Sequence, residues 1–341
     1  MPEQADWPAL PFEEWQDTQA TLHMWLQILG KIKLALAPFL NEWWQVAFTV
    51  SARGLTSGPI PYAGGVFDME LDFLSHNLSL RTSAGGYKAL PLVARSVARF
   101  YAEVMAALAA LGIEVRINPL PAEVPNPISC EQNEVNCSYE PEFVERWWRI
   151  LVLSERVVQR FRSGFIGKSS PLQLFWGAFD LAHSRFSGRA AEPPPNASRM
   201  FKLSEDQENF TCGFWPGNAT SMSPGLGAPA FYAYAYPAPP GFSEAGVRPV
   251  GAMYRVELGE LVLPYEAVRR AESPPEAVLE FFQSTYDAAA NLGSWVEACW
   301  SGRLKRAGPE ARTTLRLPLD LLSAVDELAR RDEAPAPQTI R

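Results

Sequence analysis

Histidine and cysteine are scarce in this sequence, whose 341 residues include three histidines and four cysteines. The histidines, His23, His76 and His183, lie far apart and show neither HxH nor HExxH spacing. The cysteines show neither CxxC spacing nor a Cys/His cluster of the kind that binds zinc. The sequence therefore predicts no metal site.

Signals for a membrane, for export and for nucleic acid are also missing. No run approaches 18 uninterrupted apolar residues, and the acidic, polar start lacks the basic and apolar regions of a signal peptide. With 30 basic and 38 acidic residues, the net charge is −8, which opposes binding to nucleic-acid phosphates. We therefore expect a cytoplasmic protein that binds neither membranes nor nucleic acid.

A cytoplasmic location implies reduced thiols at Cys130, Cys137, Cys212 and Cys299. Cys130 and Cys137 share a polar connector and could form a disulfide only in an oxidising compartment. The sequence also lacks GxGxxG after a strand, GxxxxGK[ST] and GxSxG. The common nucleotide-binding and hydrolase motifs thus give no support, and we predict no cofactor.

The sequence has a globular composition that is rich in aromatic residues and proline. Hydrophobic residues make up 47% and charged residues 20%, whereas disordered chains carry too few apolar groups to offset their ordering entropy. There are 11 Trp, 10 Tyr, 19 Phe and 30 Pro. Because the length exceeds the usual size of a single core, we expect one large α+β unit or two packed halves.

Hydrophobic periodicity predicts helices and a largely antiparallel sheet in the first half. Apolar residues at helical spacing begin at Leu22 and stop before Pro38, which indicates an amphipathic helix. A second helix from Val97 is expected to end at Gly112. Alternating patterns predict strands at residues 44–52, 67–73, 78–81 and 114–117.

The second half shows the same order of helix, strands and helix. A long helix from Ser138 is expected to end at Gly164, and a capping box at Ser273 predicts another. Residues 172–181 are apolar at nearly every position, which favours a central strand covered on both faces. Residues 190–229 are expected to form a long loop. Further strands are predicted at residues 231–236, 253–258 and 261–263.

These patterns predict an α+β fold of two halves. The halves span residues 1–125 and 138–300, and a third segment, residues 303–341, is expected to be an appended helix with a flexible tail. Two pairs of similar strings favour an internal duplication. LGK at residues 29–31 resembles IGK at 166–168, and WQVAF at 44–48 resembles WGAF at 176–179. The alternative is ordinary recurrence of α+β units.

Six separated strings resemble a bacterial family that is known only as a domain of unknown function. The strings are TLHMWLQILGK at residues 21–31, ARGLTSGPIP at 52–61, FWGAFDL at 175–181, RFSGR at 185–189, GFWPG at 213–217 and FYAYAYP at 231–237. They occur in the same order, and the resemblance extends over about residues 7–300. It implies a bacterial unit of that extent and supplies neither an activity nor site residues.

His23, Gln27 and Lys31 are spaced four residues apart, so they form one polar ridge along the first helix. A neighbouring ammonium would lower the pKa of His23 and favour a neutral imidazole that acts as a base or an acceptor. The ridge therefore gives candidate ligand-binding residues at Gln27 and Lys31 and a candidate catalytic residue at His23. The alternative is a solvated helix face.

Asp180 interrupts an apolar segment, where an unpaired carboxylate would be unfavourable to bury. Its expected partner is Arg185, Arg189 or Lys168, either in a structural ion pair or beside a catalytic site. In the catalytic interpretation, Asp180 is a general base or orients His23.

Tyr232, Tyr234 and Tyr236 alternate along a predicted strand and therefore share one face. Three phenols in a row could line a small-molecule cleft, or they could form a structural aromatic ladder. Trp215, in the string GFWPG, could belong to a lid over that face or pin a loop to the core.

The leading hypothesis is a small-molecule enzyme or ligand-binding protein with an aromatic-walled cleft between the halves. In this hypothesis Lys31, Arg53 and Arg185 attract an anionic small molecule, and His23 with Asp180 performs acid–base chemistry. The alternative is a non-catalytic module that binds another protein or a second copy through aromatic surfaces. The sequence does not decide between them, and it leaves the oligomeric state open.

Overall fold

Two antiparallel sheets with packed helices make up residues 7–218 and 227–295, which the computed structural model describes. This architecture confirms the predicted α+β class. The described residues lie within one compact unit, Met1–Gly302. The helix and tail predicted at residues 303–341 lie outside the described residues, and the proposed division between residues 125 and 138 stays a prediction.

The longest helix, α1, is much more buried than an amphipathic helix would be. Nearly every side chain between Thr18 and Lys33 is shielded from solvent, including all members of the polar ridge. The helix begins ten residues before the predicted start, after Pro11 and with two acidic residues in its first turn. The described helices are α1 (Phe12–Leu36), α2 (Val97–Ala110), α3 (Pro141–Ser163), α4 (Arg199–Ser204), α5 (Tyr265–Arg269) and α6 (Pro274–Leu292).

The first sheet places its apolar side chains inward and its charged side chains outward, as the alternation predicted. On its central strand, Phe67 and Met69 are buried, while Asp68 and Glu70 pair with Arg81 on the outer face. The strands are β1 (Thr49–Val50), β2 (Gly54–Thr56), β3 (Ile60–Tyr62), β4 (Gly65–Asp72), β5 (Asn77–Thr82) and β6 (Tyr87–Pro91). Their order is β1-β2-β4-β5-β6, and β3 also pairs with β4.

One strand predicted in the first half is wrong, and another is shorter than predicted. Residues 44–46 of the predicted strand 44–52 belong to a 3₁₀ turn, Asn41–Val46, in which Glu42 and Trp43 have left-handed φ angles of 49° and 60°. After this turn Phe48 forms a bridge with Leu174, and β1 is the only strand within the segment. Residues 114–117 are irregular.

The second sheet is built from β7 (Gln173–Phe175), β8 (Asp180–Ala190), β9 (Gln207–Trp215), β10 (Ala230–Tyr236), β11 (Met253–Arg255) and β12 (Glu260–Pro264). Their order is β11-β12-β10-β9-β8-β7.

Three predictions for this part of the chain are wrong. Residues 172–181 are a hairpin that turns at Phe179 (φ 63°), so β7 is an edge strand rather than a central one. The supposed loop at residues 190–229 contains α4 and β9. The side chain of Ser273 makes no capping hydrogen bond to α6.

Helices α3 and α6 pack on one face of the second sheet. Phe161 of α3 contacts His183 of β8 and Phe282 of α6, and Phe282 contacts Phe231 of β10. The buried apolar side chains of both sheets and of α1 form one continuous core. The opposite face of the second sheet carries most of the polar residues of the candidate site.

Cys130, Cys137 and Cys212 are free thiols, so the disulfide between the first two does not form. Cys299 lies outside the described residues. No helix in the described part of the chain has the length and apolar character needed to cross a membrane. The internal duplication stays a prediction.

Candidate functional site

The strand register puts the three tyrosines of β10 on one face, directed away from α3 and α6. Residues directly opposite in antiparallel strands share a face. Tyr232, Tyr234 and Tyr236 lie opposite Gly213, Thr211 and Asn209 of β9, and Gly213 and Thr211 lie opposite Ala182 and Ser184 of β8. Asp180 and Trp215 lie at one end of this surface, and Glu260 lies at one side of it. We call these residues the tyrosine face.

Asp180 is held by Tyr232 from two strands away. The hydroxyl of Tyr232 donates a hydrogen bond to Oδ2 of Asp180. The phenol crosses β9 at Gly213, where a Cβ atom would lie 2.9 Å from the tyrosine oxygen and 1.8 Å from the carbonyl oxygen of Leu181. Glycine at position 213 is therefore required for this hydrogen bond.

None of the three cations predicted as partners of Asp180 pairs with it. Arg189 pairs with Glu208 at 2.6 Å, and Lys168 pairs with Glu42 at 2.6 Å. Arg185 points to the opposite face of the sheet. The prediction failed because it considered only cations near Asp180 in sequence, whereas the observed partner is 52 residues away.

A second hydrogen-bond network lies further along the tyrosine face. The hydroxyls of Ser184 and Thr211 are 2.7 Å apart, and Thr211 donates to Oδ1 of Asn209 at 2.9 Å. The amide of Asn209 donates to Oε2 of Glu205 at 2.6 Å, and Tyr234 also forms a hydrogen bond with this carboxylate. Each of two neighbouring tyrosines thus donates to a different carboxylate.

Glu123 approaches the same site from the segment between α2 and α3. The amide of Gln27 in α1 donates to the carbonyl of Ala122 at 2.8 Å, and the Ala122 N–H donates back to Gln27 Oε1 at 2.9 Å. This pair of hydrogen bonds fixes Glu123 against Gly177, where a Cβ atom would lie 2.5 Å from Glu123 Oε1. The carboxylate of Glu123 is close enough to Asp180 to disfavour its ionisation.

Burial and mutual repulsion raise the pKa values of the carboxyl groups around this face. Burial raises the pKa of Asp180 to about 6, the Tyr232 hydrogen bond opposes this shift, and Glu123 adds to it. Burial, with a further contribution from Asp180, raises the pKa of Glu260 to about 7. Burial raises the pKa of Glu205 to about 7 against its hydrogen bonds with Asn209 and Tyr234. These groups can therefore change protonation state near neutral pH.

His23 is completely buried and holds the backbone that precedes Asp180. Its Nε2 lies 2.9 Å from the carbonyl oxygen of Trp176 and 3.0 Å from that of Gly177, so this nitrogen carries the proton and donates it. Its Nδ1 is buried without a partner. Burial lowers the pKa of His23 to about 4, and Lys31 does not contribute, which corrects the predicted cause of the shift. The imidazole holds the turn that precedes Asp180.

The structure does not bring the three candidate cations together. Lys31 lies over the indole of Trp176, with Nζ 5.7 Å from the ring centre. Arg53 is half exposed on the first sheet and pairs with Asp72 at 2.5 Å. Arg185 is buried beneath α3, with its guanidinium 3.3 Å from the Phe161 ring centre, and it donates to the Phe161 carbonyl at the end of that helix.

Trp215 lies on the tyrosine face but does not belong to a lid. Its backbone is the end of β9, opposite Ala230, and its side chain is buried. The first three residues of the GFWPG string therefore belong to β9. The sequence interpretation missed this because glycine and proline usually mark loops. The indole nitrogen has no hydrogen-bond partner.

Sequence reasoning missed Glu123, Glu205 and Glu260. A signal existed for Glu260, which lies directly before the apolar residues 261–263 as the first residue of β12. No local signal identified Glu205 or Glu123, because their position depends on α4 and on the hydrogen bonds of Gln27. Among the residues described, no three acidic, thiol or imidazole groups are arranged to hold a metal ion.

A comparison with protein families shows the family to which the chain belongs. The model of a family described as "Family of unknown function (DUF5996)" matches residues 7–301. The chain belongs to the DUF5996 family. This match confirms the resemblance noted in the sequence, whereas the bacterial origin stays a prediction. Neither curated proteins nor solved structures give a match. The function of this DUF5996 member must therefore be argued from its own residues.

The raised pKa of Glu260 predicts a pH-dependent effect of Glu260→Gln on stability. The folded protein binds this proton more tightly than the unfolded chain, so the contribution of Glu260 is fully present below about pH 4.5 and is lost as the pH rises through about 7. Glutamine does not titrate. Between about pH 5 and pH 8, urea unfolding should show the variant gaining roughly 1–3 kcal/mol relative to wild type.

Glu257→Gln is the matched control in the neighbouring hairpin. Arg255 lowers the pKa of Glu257, so this carboxyl is ionised in both the folded and the unfolded protein above about pH 5, and the variant should show no pH-dependent gain between about pH 5 and pH 8. Identical pH dependence in the two variants would contradict the assignment of a raised pKa to Glu260.

Proposed function

We propose that this DUF5996 protein is a small-molecule enzyme or ligand-binding protein whose site is the tyrosine face. The observation that carries the proposal is the hydrogen bond between Tyr232 and a half-buried Asp180, made possible by Gly213. Carboxyl groups with shifted pKa values next to aromatic rings are typical of functional sites. A purely structural sheet face would gain more from apolar side chains than from several carboxyl groups that lack cationic partners.

Asp180 is the proposed acid–base residue. A group with a pKa of about 6 exists in both protonation states near neutral pH, which is the condition for efficient proton transfer. Tyr232 fixes the orientation of one carboxylate oxygen, and the other oxygen is left for the ligand. Tyr234 with Glu205 and the hydroxyls of Ser184 and Thr211 would bind polar groups further along the face.

His23 and Gln27 are proposed as positioning residues rather than as groups that touch the ligand. His23 holds the backbone of residues 176 and 177, and Gln27 holds Ala122 beside Glu123. Through these contacts α1 would control the separation of Asp180 from Glu123. The dispersed positions of Lys31, Arg53 and Arg185 argue against the anionic ligand that the sequence suggested.

A small-molecule library screened by thermal shift tests the proposal. Compounds that bind the tyrosine face should stabilise the wild-type protein and lose at least about tenfold in affinity in Asp180→Asn, because the charged acceptor is removed. Tyr232→Phe should weaken the same compounds. Arg53→Met, a change on the first sheet, should leave their binding unchanged. Hits that bind Asp180→Asn and wild type equally well would contradict the proposed site.

The protein-interaction alternative is supported by a separate exposed surface. Phe39 and Leu40 are about half exposed (52% and 51%), and Met200 is exposed to a similar degree (48%). Trp43 joins them, with its ring 5.0 Å from Phe39 and its indole nitrogen donating to the Met200 carbonyl at 3.1 Å. If this patch is the functional surface, Phe39→Ser should abolish association seen by analytical ultracentrifugation and leave small-molecule binding intact.

A further inference from the structure

We propose that residues 191–206 are a lid over one end of the tyrosine face and that this lid opens when Glu205 loses its proton. We call these residues the lid loop. The opening is a property of the chain itself, whereas its role in admitting a ligand rests on the proposed function. The inference follows from the closed base of the loop, from the contacts that hold it down, and from the surroundings of Glu205.

The two ends of the lid loop lie side by side. The loop connects β8 to β9, and Ala190 pairs with Gln207 in the sheet just outside it. The N–H of Ala191 donates to the carbonyl of Asp206 at 2.9 Å. Compact surface loops whose ends lie close together are Ω-loops, which are frequently functional. A closed base allows the body of the loop to move while the sheet stays intact.

The lid loop is held against the molecule by contacts that bury none of its residues completely. The ring of Phe201 in α4 meets the ring of Tyr236 edge-on, with centres 5.4 Å apart. The carbonyl of Met200 accepts a hydrogen bond from the indole nitrogen of Trp43 at 3.1 Å. Segments with few buried contacts open at a lower free energy than the core does. The loop can therefore open without unfolding of the sheet beneath it.

Glu205, just after α4, ties the lid loop to the tyrosine face. Its Oε2 accepts a hydrogen bond from the amide of Asn209 at 2.6 Å, and its carboxyl group also forms a hydrogen bond with Tyr234. Asn209 belongs to β9 and Tyr234 to β10, and both side chains lie on the tyrosine face. The closed position of the loop thus places a carboxyl group between two strands of the candidate site.

The acidic groups around Glu205 disfavour its ionisation in the closed lid. Burial raises the pKa of this carboxyl group from about 4.5 to about 7, although the hydrogen bonds from Asn209 and Tyr234 oppose the shift. Glu42 and Asp206 raise the pKa further through charge repulsion. The closed position therefore favours the protonated form of Glu205.

The cations of the neighbouring segments do not compensate these acids. Within residues 7–218 and 227–295, Glu205 forms no ion pair. The cations have other partners: Lys168 pairs with Glu42 at 2.6 Å, Arg189 pairs with Glu208 at 2.6 Å, and Lys202 donates to the carbonyl of Pro195 at 2.8 Å.

The sign of the pH dependence follows from the two positions of the loop. In the open lid Glu205 is in water, where its pKa returns to about 4.5, so the closed lid binds the proton more tightly than the open lid. The stabilisation of the closed lid is fully present below about pH 4.5 and is lost as the pH rises through about 7. For this difference, the open population should rise about tenfold between pH 6 and pH 8.

Hydrogen exchange of the full-length protein, read by mass spectrometry at pH 6, 7 and 8, tests the inference. The observed rates are divided by the intrinsic rates at each pH to give protection factors. In wild type, the protection of residues 191–206 should fall about tenfold between pH 6 and pH 8 relative to that of α2. In Glu205→Gln it should stay constant, because glutamine keeps an accepting oxygen and does not titrate. Asp206→Asn, at the adjacent acid, should keep the fall.

Constant protection in wild type, or the same fall in Glu205→Gln as in wild type, would overturn the inference. Phe201→Ala gives a second test that leaves Glu205 in place. Loss of the ring contact with Tyr236 should lower the protection of the loop at pH 6 and preserve its dependence on pH. Unchanged protection in Phe201→Ala would show that the loop does not rest on the tyrosine face.

These measurements need no ligand, so they separate the lid from the proposed function. If the lid loop shows no pH-dependent opening, the library screen on Asp180→Asn still decides whether the tyrosine face binds small molecules. If that screen fails and the exchange results hold, the opening of the loop is established and its role in admitting a ligand is wrong.

Discussion

Trp147→Ala is expected to destabilise the protein by about 3–5 kcal/mol, the range for removal of a large buried aromatic side chain. Trp147 lies in α3, is completely buried, and stacks on Phe179 with ring centres 4.9 Å apart and an interplanar angle of 14°. It also contacts Trp15 of α1 and Phe73 of the first sheet. No neighbour can fill the resulting cavity without moving one of these elements. Urea unfolding measures the loss.

Trp43→Ala is the matched control, because it removes a side chain of the same size from a less buried position. Trp43 is only half buried, so we expect a loss of about 1–2 kcal/mol. Because Phe179 precedes Asp180, Trp147→Ala should also weaken ligands of the tyrosine face in the fraction that remains folded. Equal losses of stability in the two variants would contradict the central position of Trp147.

Gly30→Ala is expected to destabilise the protein by at least about 2 kcal/mol, although alanine normally stabilises a helix relative to glycine. A Cβ atom at position 30 would lie 2.2 Å from Nε1 of Trp176. The indole cannot easily move, because this nitrogen donates to the carbonyl of Val46 at 3.1 Å. Thermal or urea unfolding should show the loss, together with weaker ligand binding, since Trp176 and Gly177 position Asp180.

Gly164→Ala is the matched control at the end of α3. There the nearest atom to an added Cβ is 3.6 Å away and the φ angle is an ordinary −83°. This variant should be neutral or more stable by about 0.4–1 kcal/mol. A stabilising effect of Gly30→Ala would show that α1 does not pack against the Trp176 turn as described.

The sequence predicted those parts of the fold that depend on local periodicity. The alternation at Phe67 and Met69 identified β4, and the helical stripe after Val97 identified α2 with its end at Gly112, whose φ is 73°. The same reasoning failed at residues 44–46, which were predicted as strand and belong to the turn in which Glu42 and Trp43 have left-handed backbone conformations. No sequence pattern marks such positions when the residues are not glycine or asparagine.

The candidate site was predictable where its residues share one strand and unpredictable where they do not. The common face of Tyr232, Tyr234 and Tyr236 follows from the two-residue period of a strand. The polar ridge of α1 was identified, but its burial was not, since burial depends on elements that are distant in sequence, such as α2, α3 and β3, and that pack around the helix. The proximity of Asp180 to Tyr232 depends on strand order, which hydrophobic patterns do not encode.

Helix α1 also has a consequence for how the protein is synthesised. Its partners are encoded far downstream, because Gln19 bonds Gly217, 198 residues away, and Pro8, just before the helix, bonds Tyr265, 257 residues away. At about 5–20 residues per second, the ribosome needs roughly 13–50 seconds to make that distance. Trp25 stacks on Phe100 and Tyr139, and Trp15 contacts Trp147, so the nascent helix exposes these two side chains until those residues have been made. The last contacts of the first helix therefore form only after most of the chain has been made.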